Sequence, residues 1–253
     1  MSPLILDGVP AQHLARRWGV PQVIALRLAP STLDIAHELG ASGAAHGATV
    51  IAEEQTSGRG RDGRRWHSPP GGVWLSMLVR SPHADLRTVS LRAGLVVADA
   101  LDELLGGPRA RLKWPNDVLI DDRKIAGVLS EGRWQGNSLQ WLAVGIGVNV
   151  WNGVPVELAH RAVALQEFLP DVRRLDVLDR LVPGITAIGT GAPPLSDAES
   201  RAFAERDWLR GRMLRAPVVG TASGIRGDGA LLVESGGAVT PVLDGHVEVR
   251  NER

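Results

Sequence analysis

The sequence predicts an α+β fold with a separate small all-β unit at its C-terminal end, on three observations. Strand-like and helix-like periodicities alternate along most of the chain. A hairpin signal lies near the middle. From residue 211 onward the text changes to short β runs cut by glycines, VVGTASGIRGDGALLVESGGAVTPVLDGHVEV. That stretch suits a small β-barrel, marginal alone by size and therefore docked on the rest. The chain is accordingly divided into residues 1–208 and 209–253.

Taken in order, residues 13–19 (HLARRWG) can form one short helix, and residues 49–53 (TVIAE) read as a buried strand. Residues 73–80 alternate Val73, Leu75, Met77 and Val79 against Trp74, Ser76, Leu78 and Arg80, a half-buried strand. Leu91, Leu95, Ala98, Leu101, Leu104 and Leu105 recur at helical spacing over residues 90–105, and Gly106-Gly107-Pro108 stops them. Residues 118–120 and 125–129 are β-prone runs around Asp121-Asp122-Arg123-Lys124, a hairpin with Lys124 in its turn or at the turn-proximal end.

Residues 142–150 alternate strictly. Leu142, Val144, Ile146, Val148 and Val150 make one apolar face; Ala143, Gly145, Gly147 and Asn149 make the other. Two glycines on one strand face imply close approach by a ligand or by another backbone, and Asn149 at the end of that face favours a ligand. Beyond it, helical stretches are expected at 159–168 and 175–181, then a Gly/Pro-rich connection at 189–194 and a last helix at 196–209.

Composition sets limits on function. The 253 residues carry 28 acids against 28 Lys plus Arg, so no whole-chain field favours nucleic acid or anionic lipid. Without cysteine there is no disulfide, thiol nucleophile or thiolate metal site. The first residues lack a signal-peptide pattern, and no run approaches the roughly 18 apolar residues of a membrane helix. A cytoplasmic protein is expected.

Of the 28 basic residues only two are lysines, Lys113 and Lys124, and both fall in KWPNDVLIDDRK. A chain that uses arginine almost everywhere keeps lysine where a compact ammonium is needed and a planar fork would not serve. The second concentration of chemistry is GRGRDGRRW, residues 58–66. Its first six residues match the dinucleotide-binding glycine pattern, but RRWHSPPGG follows where that pattern needs a helix. No Gly-Lys pair exists for a Walker A loop. What remains is a glycine-rich loop with four arginines, suited to phosphate and carboxylate oxygens, closed by Trp66 as a face for a ring.

Together, EEQTSGRGRDGRRW, KWPNDVLIDDRKIAGVLSE and VGIGVNV resemble the biotin protein ligases, also called biotin–[acetyl-CoA-carboxylase] ligases. The resemblance covers residues 27–150, and GDGALLVESGG with GHVEVR resembles that family's small SH3-like C-terminal domain. It implies a mixed or antiparallel sheet with packed helices, and formation of biotinyl-5'-AMP from biotin and ATP with Mg²⁺. Biotin would then pass to one lysine of a biotin carboxyl carrier protein, with the enzyme a monomer or weak homodimer that binds neither nucleic acid nor membrane.

Carried over by position, the resemblance assigns Ser31, Thr32 and Gln55 to the polar end of a biotin pocket. Gly58, Arg59, Gly60 and Arg61 would fold over the intermediate, with Arg61 on its anionic groups and Trp66 near the adenine. Lys124 would bridge the biotin carboxylate and the α-phosphate, and Lys113 would be a phosphate-side cation. Asn116 and Asp117 form the adjacent polar pair, with Asp117 a candidate to orient the acceptor lysine. Gly127 and Leu129 would line the biotin side, and Asn149 the nucleotide or metal side.

Three positions depart from the family pattern. Leu33 stands where an Asn is usual after Ser-Thr, Arg226 replaces an acid, and His246 replaces a Glu. Other classes fit less well. A bifunctional ligase and DNA-binding repressor needs a winged helix-turn-helix, which one short helix before the first family strand does not supply. A lipoate or octanoyl transferase on the same fold lacks GRGR…W with KWPND and has no ureido group for Ser31, Thr32 and Gln55. A noncatalytic biotin-binding module would not need the two lysines.

Overall fold

The computed structural model describes residues 5–80, 85–188 and 194–250; most of the expected Gly/Pro-rich connection lies outside them. The chain starts with a hairpin, β1 (Ile5–Leu6) and β2 (Val9–Pro10), and the helix α1 (Ala11–Trp18). Next come β3 (Val23–Ala29), α2 (Thr32–Ala41), β4 (Thr49–Gln55), β5 (Val73–Val79) and α3 (Leu86–Leu105). The middle of the chain supplies β6 (Arg111–Lys113), β7 (Asp117–Ile120), β8 (Arg123–Gln135) and β9 (Ser138–Val148). The helices α4 (Arg174–Ile188) and α5 (Asp197–Arg206) precede β10 (Met213–Ala216), β11 (Gly220–Ile225), β12 (Leu231–Ser235), β13 (Ala238–Val242) and β14 (Glu248–Val249).

Seven strands form one mixed sheet in the order β3-β4-β5-β9-β8-β7-β6, parallel only between β3 and β4. The helix α2 covers one face, packing Leu33 and Ala36 on Val50 and Ala143. On the opposite face the apolar side chains of β9 join those of α3 and α4 in the main core. This explains β5, which is buried along its whole length rather than half-buried. It lies between β4 and β9 with helices on both faces, so neither set of alternating side chains reaches water.

Residues 159–168 also differ from expectation. They hold one 3₁₀ turn, Leu165–Glu167, and follow another, Val156–Leu158, instead of forming an α-helix. Their backbone is committed to the sheet: Lys124 N donates to Arg161 O at 2.7 Å, Val163 N to Lys124 O at 3.0 Å, and Leu165 N to Asn149 O at 3.0 Å. Long-range pairing here overrides a local helical pattern. The hairpin turn is as expected, with Asp121 and Asp122 both at positive φ (49° and 60°), so Lys124 stands at the turn-proximal end of β8.

The last five strands form an antiparallel sheet in the order β13-β12-β11-β10-β14. Its apolar residues Leu214, Ala222, Leu231, Val233, Val242 and Val247 belong to the same buried cluster as the main sheet. Trp114 Nε1 donates to Gly229 O at 2.9 Å, which fixes the KWPND segment to this unit. A second tie runs through the start of α5, where the preceding Leu195 N donates to Gly227 O at 2.7 Å. Ser196 and Glu199 form a capping box at its start, and the buried Arg92 of α3 reaches Glu199 with Nε at 2.6 Å.

The Arg92 hydrogen bond holds the Glu199 carboxyl at about 2, below its ordinary 4.5. A depressed folded value means that the contribution is complete above 4.5 and is lost as pH falls towards 2. Glu199→Gln should therefore destabilise the protein by about 1–2 kcal/mol near neutrality. The deficit should shrink between pH 4.5 and 2, as read by urea unfolding at stepped pH; an equal deficit throughout would refute the linkage.

Candidate active site

Two cavities meet on the face of the sheet covered by α2. The first, about 190 Å³, is lined by Ser31, Thr32 and Gln55 at one end and by Gly127, Leu129, Gly145 and Gly147 of the sheet. The loop Arg59–Arg61, Arg64–Trp66 and the segment Lys113–Asp117 complete it. The second, about 480 Å³, is lined by Asn149, Asn152, Leu158, Arg161 and Trp208 among others. Six residues line both: Arg64, Arg65, Trp66, Lys113, Asp117 and Lys124.

The floor of the first cavity is a strip of backbone. On β9, Gly145 lies opposite Ser76 and Leu129, and Gly147 opposite Trp74 and Gly127. A Cβ on Gly147 would come within 2.6 Å of the Trp66 indole, and one on Gly127 within 3.0 Å of the same ring. A Cβ on Gly145 would meet Leu33 at 3.0 Å. The bare face is thus filled by two of the protein's own side chains, Leu33 from α2 and Trp66 from the loop, while it still borders the cavity. Trp66 meets Trp74 edge-on at 6.4 Å, and its indole N–H is buried without a hydrogen-bond partner among the described residues.

The polar end is organised by hydrogen bonds among its own side chains. Gln55 Oε1 accepts from Thr32 N at 2.8 Å and from Thr32 Oγ1 at 3.1 Å, and Gln55 Nε2 donates to Ser68 Oγ at 2.9 Å. Thr32 Oγ1 also lies 2.7 Å from Ser76 Oγ, a buried contact absent from the sequence reading. Ser31 is buried at the start of α2 but makes no capping hydrogen bond with its side chain, which lines the cavity.

At the junction of the cavities Lys124 Nζ lies 2.5 Å from Asp117 Oδ1 and 4.7 Å from the Trp66 ring centroid. Lys113 Nζ lies over Trp208 at 5.2 Å. Burial first, then the charges of Lys124, Arg212 and Arg64, push the Lys113 ammonium below its usual value, while Asp117 pulls it up. Arg64, Arg65, Lys113 and Lys124 line both cavities against one shared acid, Asp117, so positive charge is in excess at this point, which favours an anion. Asn116 sits beside it with Nδ2 donating to Val128 O at 2.8 Å. Asn149 faces only the second cavity, with Nδ2 donating to Val163 O at 3.2 Å and Oδ1 accepting from Asn152 at 3.1 Å.

The arginine loop is folded back on itself: Gly60 N donates to Arg64 O at 2.8 Å and Trp66 N to Gly58 O at 2.9 Å. Gly58 lines neither cavity, and its role is close packing, since a Cβ there would fall 2.5 Å from Ser68 Oγ. Arg59 pairs with Asp34 and Glu131, and Arg61 with Asp244 of the C-terminal unit. That unit also contributes Gly245, His246 and Val247 to the first cavity. Of the three departures, Leu33 and His246 border the cavity, whereas Arg226 pairs with Asp228 at the surface.

This geometry has close counterparts. The description "Biotin/lipoate A/B protein ligase family" matches residues 26–149. The biotin–[acetyl-CoA-carboxylase] ligase of Mycobacterium tuberculosis is 34% identical over 79% of this chain and 78% of its own. The bifunctional ligase/repressor BirA of Bacillus subtilis is 32% identical over 87% of this chain and 71% of its own. The biotin protein ligase of Aquifex aeolicus, solved with biotin and ATP, superposes with a TM-score of 0.77 at 28% identity, over 92% of this chain and 100% of its own. Fold and relatives define a ligase. The chain belongs to the biotin/lipoate A/B protein ligase family.

Because Trp66 lies directly on Gly147, Gly147→Ala must displace the indole or the strand. Overpacking of this kind costs about 1–3 kcal/mol. The expected outcome is a lower melting temperature together with a shift of the Trp66 indole NMR resonance, assigned by its loss in Trp66→Phe. Unchanged values would show that the ring does not need the bare strand.

Proposed function

We propose that this protein activates biotin with ATP to biotinyl-5'-AMP and pyrophosphate, then transfers the biotinyl group to a lysine of a biotin carboxyl carrier domain. One observation carries the reading. A small cavity with an amide and two hydroxyls at its far end opens, past Lys124 and Lys113, into a larger cation-lined one. Biotin suits the first, its ureido group at Ser31, Thr32 and Gln55, and ATP suits the second, with its triphosphate at the basic junction.

The chemistry is positioning and charge neutralisation. The biotin carboxylate attacks the α-phosphorus, the bond to the β-phosphate breaks, and pyrophosphate carries away the electron pair. Lys124 and Arg61 offset the repulsion between two anions as charge builds. In the second step the acceptor amine attacks the carbonyl and AMP leaves. Asp117, paired with Lys124 at 2.5 Å, would orient that amine or take its proton. Arg59 and Gly60 cover the intermediate and keep water from the mixed anhydride.

Mg²⁺ fits as an ion carried on the phosphates, because it keeps waters and needs only one or two protein oxygens. Asp117 and Asn149 offer such oxygens in the second cavity, and no cluster of three or more His, Asp or Glu forms a cage among the described residues. The ion would withdraw charge from the phosphates. The C-terminal sheet is read as the SH3-like domain, residues 209–253, and the remainder as the catalytic domain. A cytoplasmic place of action is part of this reading; no described helix is long and apolar enough to cross a membrane.

Incubation with biotin, ATP and Mg²⁺ should yield biotinyl-adenylate by mass spectrometry, and lipoate in its place should not. Lys124→Ala should lower the rate about a hundredfold, the usual loss for one fixed transition-state partner. Lys124→Arg should fail too, because a planar fork cannot take the place of a compact ammonium held 2.5 Å from Asp117 and over the Trp66 ring. Near-normal adenylation by either folded variant would remove Lys124 from the mechanism.

The Lys113 shift gives a pH test. A triphosphate raises the depressed ammonium value, so the complex takes up protons between the free and bound values. ATP affinity should fall as pH rises through the lowered free value, and Lys113→Met should flatten that dependence. Calorimetry in buffers of different ionisation heat counts the protons; no uptake in the wild type would contradict the assignment.

A further inference from the structure

Arg59 differs from the other three arginines of its loop in having two acidic partners on two different elements. Its Nη1 donates to Asp34 on α2, and its Nη2 donates to Glu131 Oε2 on β8 at 2.8 Å. Asp34 lies two residues beyond Thr32, and Glu131 two residues beyond Leu129, so both acids stand beside cavity-lining positions. Glu131 is itself held from behind. His37 Nε2 lies 3.1 Å from Glu131 Oε2, and His37 Nδ1 accepts from Trp141 Nε1 at 3.1 Å, which leaves the proton on Nε2 to donate to Glu131.

Trp141 is in turn seated on the backbone of α2, where a Cβ on Gly40 would fall 2.5 Å from its ring. The chain Trp141–His37–Glu131–Arg59–Asp34 therefore ties the loop to the helix and to the sheet together. Burial opposes the charge on Arg59, yet the pairs with Asp34 and Glu131 raise its value overall. By contrast, Arg61 holds only Asp244, which is 82% exposed and so a weak anchor.

We propose that Asp34 and Glu131, backed by His37, are positioning residues that hold loop 58–66 down through Arg59, keeping the first cavity shut over biotin and biotinyl-adenylate. The inference rests on reading that cavity as the biotin site. They touch no reacting atom; their effect is on how long the ligand stays, and Asp34 acts from a position immediately after the departure at Leu33.

The test is the isosteric pair Asp34→Asn with Glu131→Gln, which keeps shape and removes both charges. Three measurements are compared with wild type: hydrogen exchange at residues 58–66 in the free protein, KM for biotin against kcat for pyrophosphate release, and the lifetime of bound biotinyl-adenylate. Two half-exposed charge-assisted bonds, discounted for solvent, should give roughly tenfold faster loop exchange, tenfold higher KM and tenfold faster adenylate loss, with kcat within about twofold. Glu131→Asp alone should recover most of the difference. Unchanged exchange, KM and lifetime in the folded pair would overturn the proposal, as would a fall in kcat at constant KM. If the pair does not fold, the single variants carry the same readouts. The exchange measurement needs no ligand, so it reads the clamp even if the wild type makes no biotinyl-adenylate, a result that would overturn the functional reading instead.

Discussion

Everything in the site is set by the absence of side chains on one face of two neighbouring strands. Gly127, Gly145 and Gly147 leave a flat backbone strip in the middle of the sheet, flanked by Ser76 and Trp74 on one side and Leu129 on the other. Only such a strip lets Trp66 and Leu33 come down to van der Waals distance of the backbone and still leaves a cavity beside them. Glycine weakens a strand, and here the loss is offset by position: β9 is bonded on both edges and its other face is wholly apolar core.

The second organising quantity is charge. Asp117 is the acid nearest Lys124 at the point where the cavities join, and Lys113, Arg64 and Arg65 add positive charge around it. A protein of zero net charge thus concentrates cations in one concave place, where low-dielectric walls make each worth more than at the surface. The two lysines add compact charges to that place, while forked arginines beside them also tie the loop to neighbouring elements, as Arg59 and Arg61 do.

Much of this was legible in the sequence because it lies in local patterns. The strict alternation of residues 142–150 gave the central strand and its bare face, and the DDRK turn gave the hairpin that carries Lys124. What stayed hidden was contact between distant segments. Nothing local announces that Glu131 and Asp34 reach Arg59, that Ser76 joins Thr32, or that Gly245–Val247 walls the cavity. The 159–168 stretch shows the same limit from the other side, since a helical pattern yields when its backbone pairs with Lys124 and Asn149. The glycine strip was ambiguous between ligand and packing, and the structure shows Leu33 and Trp66 packed on it beside a cavity that it also lines.

The junction of the main sheet with the C-terminal sheet has a consequence for how the molecule comes apart. One apolar cluster runs from Leu6 to Val247 without a break, Trp114 is bonded to Gly229, and the turn at 244–247 forms part of the cavity wall. A boundary drawn at residue 209 is therefore crossed by the apolar core. Detaching the last 45 residues would bare apolar surface on α3 and the KWPND segment and take away a wall of the pocket in the same event. Partial unfolding from the C-terminal end and loss of ligand affinity should thus be a single transition, so bound ligand would protect the far end of the chain as strongly as the loop that touches it.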